Sequence, residues 1–276
     1  MQDHWDPVAH YDRYGEAEWD RLRENLYGEL EFEETCAVLE WALPVEGHVL
    51  DVGAGPGRYT RWLGRRGYEV TAVEPSSTQR RLARETVAEA SLDDRVTVTA
   101  GDVRRLPLEN ESADATLCLG GPLSHVLAAP DRSAAARELA RVTVPDGPVF
   151  VSVMGLLAAL QTIARVAGRK APSETELLAP LARSGTYDAA LLESHDLEPT
   201  SPPMHLFRAQ ELVALLRAAD MRVVGVTGLE GVASQRRTDE GLDEGDREAI
   251  KDAVAALRWD PAVADLSGHM LALGRA

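Results

Sequence analysis

The sequence predicts a doubly wound α/β fold, and three observations predict it. Strand and helix signals alternate from residue 48 onward. A glycine turn, Gly53 to Gly57, joins the first strand to the first helix. The 276-residue chain is long enough to bury one large core.

The elements follow in order. Residues 1–47 hold 13 acids against Arg13, Arg21 and Arg23, with aromatics from Trp5 to Trp41 interspersed. Thr35, Val38, Leu39, Ala42 and Leu43 recur at helical spacing before Pro44 and Gly47 break the chain, so this leader reads as short helices ahead of the core. His48 to Val52 is a short apolar strand, and Arg58 to Arg66 a helix stopped by Gly67. Glu69 to Val73 is the second strand. A helix follows, capped by Ser76 or Ser77, with Ala83, Val87 and Ala90 on one face. Arg95 to Thr99 and Ala113 to Leu119 are the third and fourth strands. A helix from Asp131 buries Ala135, Leu139 and Val142 and leads to a fifth strand, Pro148 to Val153. Such alternation implies a parallel sheet covered on both faces. Residues 155–204 interrupt it as an inserted cap: one apolar helix (Leu156, Leu160, Ile163, Ala167), then mostly irregular sequence. Alternation resumes with a helix over 208–219 and a strand over 221–227. The acidic segment 237–252 reads as a solvated face, the next helix carries Ile250, Val254 and Leu257, and His269 to Gly274 is a last strand. The organisation is therefore a leader (1–47), a core (48–154), a cap (155–204) and a return to the core (205–276).

The formal charge is −16, and Lys170 and Lys251 are the only lysines among 29 basic residues. Acid-rich and lysine-poor composition is expected of a halophilic source, while a GC-rich genome also replaces Lys by Arg. The acidity argues against a nucleic-acid partner, with less force if it is an adaptation to salt. No apolar run reaches membrane-spanning length, the opening MQDHWD is acidic where an export signal is basic, and Cys36 and Cys118 are too few for a disulfide framework. A cytoplasmic location is the expectation.

The strongest feature is Val49-Leu50-Asp51-Val52-Gly53-Ala54-Gly55-Pro56-Gly57-Arg58. Glycines let a ligand approach backbone N–H groups at a helix N-terminus. A dinucleotide loop wants Gly or Ala where Arg58 stands, which disfavours a nicotinamide oxidoreductase. The second strand ends at Glu74, a carboxylate suited to both hydroxyls of a ribose. The third ends at Asp102-Val103, which offers an acid and a backbone N–H near an adenine edge. The fourth ends at Leu119-Gly120-Gly121-Pro122.

VLDVGAGPGRYT (49–60), VTAVEPS (70–76), VTVTAGDVRRLP (96–107) and DATLCLGGP (114–122), each closing a strand in this order, resemble the class I S-adenosylmethionine-dependent methyltransferases. The resemblance implies a Rossmann-like seven-stranded sheet with its last strand antiparallel, and S-adenosylmethionine as cofactor. It implies that Gly53, Ala54 and Gly55 line the methionine part, that Asp51 orients the loop, and that Glu74, with Pro75 beside it, holds the ribose. Asp102 and Val103 would frame adenine, and Leu119 and Gly120 would lie near the methionine. Tyr11 and Tyr14 resemble the N-terminal helix that lids the cofactor in small-molecule members; packing of a leader helix is the plainer reading. The loop after the fourth strand lacks the Asn/Asp-Pro-Pro-Tyr of exocyclic-amine enzymes and a Pro-Cys nucleophile.

Methyl transfer from a sulfonium needs alignment and a dry pocket, and a base only where the acceptor must lose a proton. His125 and His205 are the candidates; a loop cap and packing beneath the insertion are their alternatives. No His/Cys/Asp cluster has metal-ligand spacing, so no metal is expected. A small-molecule methyltransferase is the leading expectation. The alternatives are an RNA methyltransferase using Arg58/Arg61/Arg65/Arg66 and Arg80/Arg81/Arg84, and a non-catalytic cofactor-binding regulator. Oligomeric state is not legible.

Overall fold

A computed structural model describes residues 6–166, 174–198 and 201–276; Trp5 and Ala167 lie outside the described residues. The leader forms α1 (Pro7–Tyr14), α2 (Ala17–Arg21) and α3 (Leu26–Ala42). Asp6 caps α1 by accepting the Val8 N–H, with Pro7 in the first turn, and Asn25 caps α3 by accepting the Gly28 N–H.

The core runs β1 (His48–Val52), α4 (Arg58–Arg65), β2 (Glu69–Val73), α5 (Ser77–Glu89), β3 (Val96–Thr99), β4 (Ala115–Cys118), α6 (Ala129–Val142) and β5 (Pro148–Met154). The inserted segment holds α7 (Leu156–Val166), α8 (Leu178–Ser184), α9 (Ala189–Glu193) and a small strand pair, β6 (Thr186–Tyr187) with β7 (Met204–His205). It is thus less irregular than the sequence suggests. Elements of 7 and 5 residues, as in α8 and α9, complete too few turns to show a period. The chain ends through α10 (Ala209–Arg217), β8 (Arg222–Gly228), α11 (Glu244–Ala256), α12 (Pro261–Ala264) and β9 (His269–Arg275).

The seven-stranded sheet has the order β3-β2-β1-β4-β5-β9-β8, parallel except for β9, which runs antiparallel to both neighbours. On one face Val49, Val70, Leu117 and Phe150 pack against Leu39 of α3, Leu63 of α4 and Val87 of α5. On the other, Leu50, Val52 and Val151 pack against Leu139 of α6 and Leu212 and Leu216 of α10. Successive strand residues point to opposite faces, so these unbroken apolar strands are what a sheet covered on both sides requires.

The acidic segment 237–252 is solvated as expected, with Glu240, Asp243, Glu244, Asp246, Glu248 and Asp252 exposed, and it also makes contacts. Asp243 and Asp246 form a capping box that starts α11 early, and Arg247 and Lys251 reach Glu29 and Glu33 of α3. Part of its charge therefore joins two helices. No described helix is long and apolar enough to cross a membrane.

Candidate active site

Chain direction away from β1 reverses at β4, and the loops after those two strands open a crevice at the carboxyl edge of the sheet. A cavity of about 480 Å³ lies there. Its first wall is built from strand ends. The Gly53 and Ala54 N–H groups donate to the Val73 carbonyl at 2.7 and 3.3 Å, tying the glycine loop to β2. Gly53 has φ +71°, and a Cβ there would stand 2.3 Å from Pro122 Cγ, so only glycine fits between the β1 and β4 loops. Glu74 is 6% exposed; its Oε2 accepts the Gly55 N–H at 2.9 Å and its Oε1 the Ser76 N–H at 2.8 Å. Burial pushes its carboxyl up to about 7, against the pull of those two hydrogen bonds. Pro75, Asp102, Val103, Leu119 and Gly120 complete this wall. The Asp102 carboxylate is held by Arg104, whose hydrogen bonds keep it below its ordinary pKa despite burial. Arg104 lines the same cavity.

The second wall is α1, α2 and the turn after β4. Asp12 anchors α1 to the start of α5, accepting from Ser76 Oγ at 2.5 Å and from the Thr78 N–H at 3.0 Å. Gln79 Nε2 donates to the Tyr11 and Gly15 carbonyls at 2.9 and 3.0 Å. Tyr11 Oη lies 3.1 Å from His125 Nε2, and His125 Nδ1 lies 2.9 Å from the Pro203 carbonyl. A carbonyl only accepts, so Nδ1 carries the proton and Nε2 presents its lone pair. Burial lowers the His125 pKa and keeps the ring neutral. Burial, with Glu18 adding to it, raises that of Tyr11 and keeps the phenol protonated. His125 thus joins the leader, the β4 turn and the insertion.

Three expected residues stand elsewhere. Asp51 is 1% exposed and lies behind the loop, where it accepts from Thr60 Oγ1 of α4 at 2.6 Å; burial pushes it up to about 6. Tyr14 is exposed and stacks on His10 off the cavity wall. His205 is also off the wall. Its Nε2 meets Glu211 Oε1 at 2.6 Å and its Nδ1 meets Thr186 Oγ1 at 3.1 Å, which leaves no nitrogen for a substrate.

Sequence reasoning missed Glu18 and Arg21, which line the cavity from the acidic leader, and saw in Arg58 a departure from another loop type and a member of a candidate basic face. Arg58 Nη2 donates to the Trp19 carbonyl at 2.5 Å, with the guanidinium over the Trp19 ring. Arg21 forks onto Glu31 at 2.5 and 3.1 Å. Behind it, Glu31, Glu230 and His269 converge from three distant segments, with candidate ligand atoms within 4.8 Å of one another. Spacing along the chain could not reveal this group, and the expectation that no metal-type cluster exists did not foresee it. Its atoms are engaged by protein: His269 Nδ1 meets Glu230 Oε1 at 2.6 Å and Arg21 holds Glu31. Burial works to lower the His269 pKa, but the two carboxylates outweigh it and raise it. Burial likewise opposes ionisation of Glu31, and Arg21 with His269 overcomes it.

Residues 49–147 match the family model described as a methyltransferase domain. The chain is 30% identical over 163 residues to Methyltransferase GfsG of Streptomyces halstedii, covering 58% of this chain and 52% of that one. It is 30% identical over 182 residues to the Ubiquinone biosynthesis O-methyltransferase of Xanthomonas oryzae pv. oryzae, covering 66% of this chain and 65% of that one. The chain therefore spans between half and two thirds of the length of these curated relatives. A crystal structure of a SAM-dependent methyltransferase from Methanosarcina mazei superposes with a TM-score of 0.60 at 17% identity, over 86% of this chain and 96% of that one, a likeness of fold. The cavity fits the family's cosubstrate: Gln79 Oε1 and Arg58 Nε, on two of its lining residues, are buried without a partner. Fold, ordered motifs and relatives agree: residues 49–147 are a methyltransferase domain, and the chain is similar in fold to the S-adenosylmethionine-dependent methyltransferases.

Proposed function

We propose that this chain methylates a hydroxyl group of a small-molecule acceptor, with His125 as general base. The observation that carries the reading is the Tyr11–His125 pair: a neutral imidazole with its Nε2 lone pair directed at a hydroxyl. In this reading the Tyr11 phenol occupies the place an acceptor hydroxyl takes, or relays its proton.

The residues divide as follows. Glu74 holds the ribose hydroxyls; Gly53, Ala54 and Gly55 pass close to the methionine part, with Leu119 and Gly120 opposite. Asp102 and Val103 flank the adenine, Pro75 borders the ribose, and Asp51 steadies the loop through Thr60. Bound S-adenosylmethionine supplies a methyl group already activated on a sulfonium. The protein's part is then to align the acceptor, exclude water beneath α1 and take the hydroxyl proton on His125. Residues 1–47 act as lid and 155–204 as the acceptor-side cap.

A small acceptor is further supported by the arginines that an RNA reading needs. Arg66 pairs with Glu40 and Arg81 with Glu85, while Arg80 and Arg84 donate to backbone carbonyls. These four side chains are engaged by the protein's own carboxylates and carbonyls, which counts against a phosphate-binding face on these two helices.

The test is calorimetric binding of S-adenosylmethionine followed by turnover against matched hydroxyl, amine and thiol panels. Turnover confined to hydroxyls, with kcat falling on the acid side below pH 6.5, the ordinary histidine value, is the expected result. Turnover of amines alone with no acid limb sinks the base assignment, and absence of cofactor binding sinks the whole reading.

A further inference from the structure

A second cavity, also about 480 Å³, is lined by Arg165, Arg236 and Arg237, with Gln235, Thr238 and a single acid, Glu240. It lies between the end of α7 and the loop that follows β8; Gln235 Nε2 donates to the Ala158 carbonyl of α7 at 3.4 Å. Strands β5 and β8 both point to the carboxyl edge that holds the cofactor cavity, so the two cavities share one edge of the sheet.

Its charge is opposite to that of the chain. Three arginines line it in a protein of formal charge −16. Among the described residues none of the three forms an ion pair with a carboxylate, whereas Arg21, Arg247 and Arg258 do. Arg236 Nη2 donates to the Glu240 carbonyl and Arg237 lies over the Tyr27 ring at 3.7 Å. The Nε atoms of Arg236 and Arg237 and Oε1 of Gln235 are buried without any partner. Buried polar atoms are nearly always satisfied, so three orphans on residues lining one pocket point to a bound water, ion or ligand there. Guanidinium forks match carboxylate and phosphate oxygens, and the orphaned amide oxygen accepts from an O–H or N–H donor.

We propose that this pocket is an oxyanion site for a carboxylate or phosphate group with a hydroxyl or amine beside it. The inference rests on the small-molecule reading above for its biological sense, since an acidic acceptor would be anchored here, on the same edge as the reaction. Arg237 links the two cavities: it covers Tyr27, whose hydroxyl lies 3.4 Å from His269 Nδ1, next to the Glu31–Arg21 pair on the cofactor side.

The experiment titrates inorganic phosphate into the full chain at low ionic strength by calorimetry, since salt screens such contacts. Saturable binding is expected. It weakens about tenfold in Arg236→Gln and in Arg165→Gln, and recovers in part in Arg236→Lys. S-Adenosylmethionine affinity stays within about twofold in each variant, which shows that the fold is intact and tests the methyltransferase reading separately. Competition by small hydroxycarboxylates assigns the pocket to the acid group of an organic ligand; its absence assigns it to a free inorganic anion. No saturable phosphate binding by the wild-type chain, or wild-type affinity in both glutamine variants, overturns the site.

Discussion

The two walls of the cofactor cavity are built by different means. The strand-end wall is short-range: Gly53 gives its N–H to the Val73 carbonyl, and Gly55 and Ser76 give theirs to the Glu74 carboxylate, groups that pairing of β1 with β2 brings together. The lid wall is long-range and made by side chains. Tyr11 meets His125, Gln79 reaches back to α1, and Arg21 engages a buried charge cluster drawn from the α3 helix, the loop after β8 and the start of β9. The difference teaches that one wall is a property of the fold and the other a property of this chain. Cofactor affinity should follow the first, and acceptor chemistry the second.

Substitutions can break that division, beginning where the effect is largest. His125→Gln removes the base from the lid wall. The expected loss is about 10²–10⁴ in kcat with cofactor affinity within about twofold. An equal fall in cofactor affinity, read by calorimetry, would place His125 in the cofactor wall instead. Glu31→Ala takes one carboxylate from Arg21, which keeps Glu18, and one from His269, which keeps Glu230, and stability should fall by about 1.5–3 kcal/mol in denaturant unfolding. A loss below about 1 kcal/mol would mean that the cluster is solvated and does not hold the lid. Glu74→Ala should weaken S-adenosylmethionine about a hundredfold, because two charge-assisted hydrogen bonds are lost while the lid wall stays intact.

The strand-end wall also carries a pH signature. Burial raises the Glu74 carboxyl to about 7. A raised carboxyl favours the protonated native state, so its contribution to stability is full below the ordinary value and is lost as pH rises through about 7. Cofactor affinity runs the other way, because the ionised form accepts the ribose hydroxyls. It should improve about tenfold between pH 6 and 8 and level off above, and Glu74→Gln should flatten the curve. A flat wild-type curve would remove the ribose role. The smallest effect is expected from Gln79→Ala, which frees α1 from α5 at a cost of about 1 kcal/mol. It should raise the acceptor KM a fewfold, and an unchanged KM would show that Asp12 alone seats the lid.

Much of the first wall was legible because its determinants are local. Five strands and their helices carry their own periodicity. A glycine that must accept φ +71°, and an acid at a strand end, keep the same neighbours in any sheet of this order. The second wall was legible only in part. His125 and Tyr11 were each singled out, but nothing in a separation of 114 residues says that they touch. His205 carried the same signal as His125, and Glu211 and Thr186 hold it off the cavity. Arg21 and Glu18 were hidden among the acids of the leader.

The sequence by itself determined the class of fold, the place of the cavity and most of the strand-end residues that line it. Hydrophobic period and turn glycines act through backbone sterics, which depend on neighbours in the chain. Only the tertiary structure decided which histidine faces the cavity, that Glu31, Glu230 and His269 form one buried cluster, and that three arginines without a carboxylate ion pair among the described residues line one pocket of an acidic chain. Those outcomes rest on charge and hydrogen bonding between segments far apart in sequence, whose strength is set by distance and burial and exists only once the chain has packed.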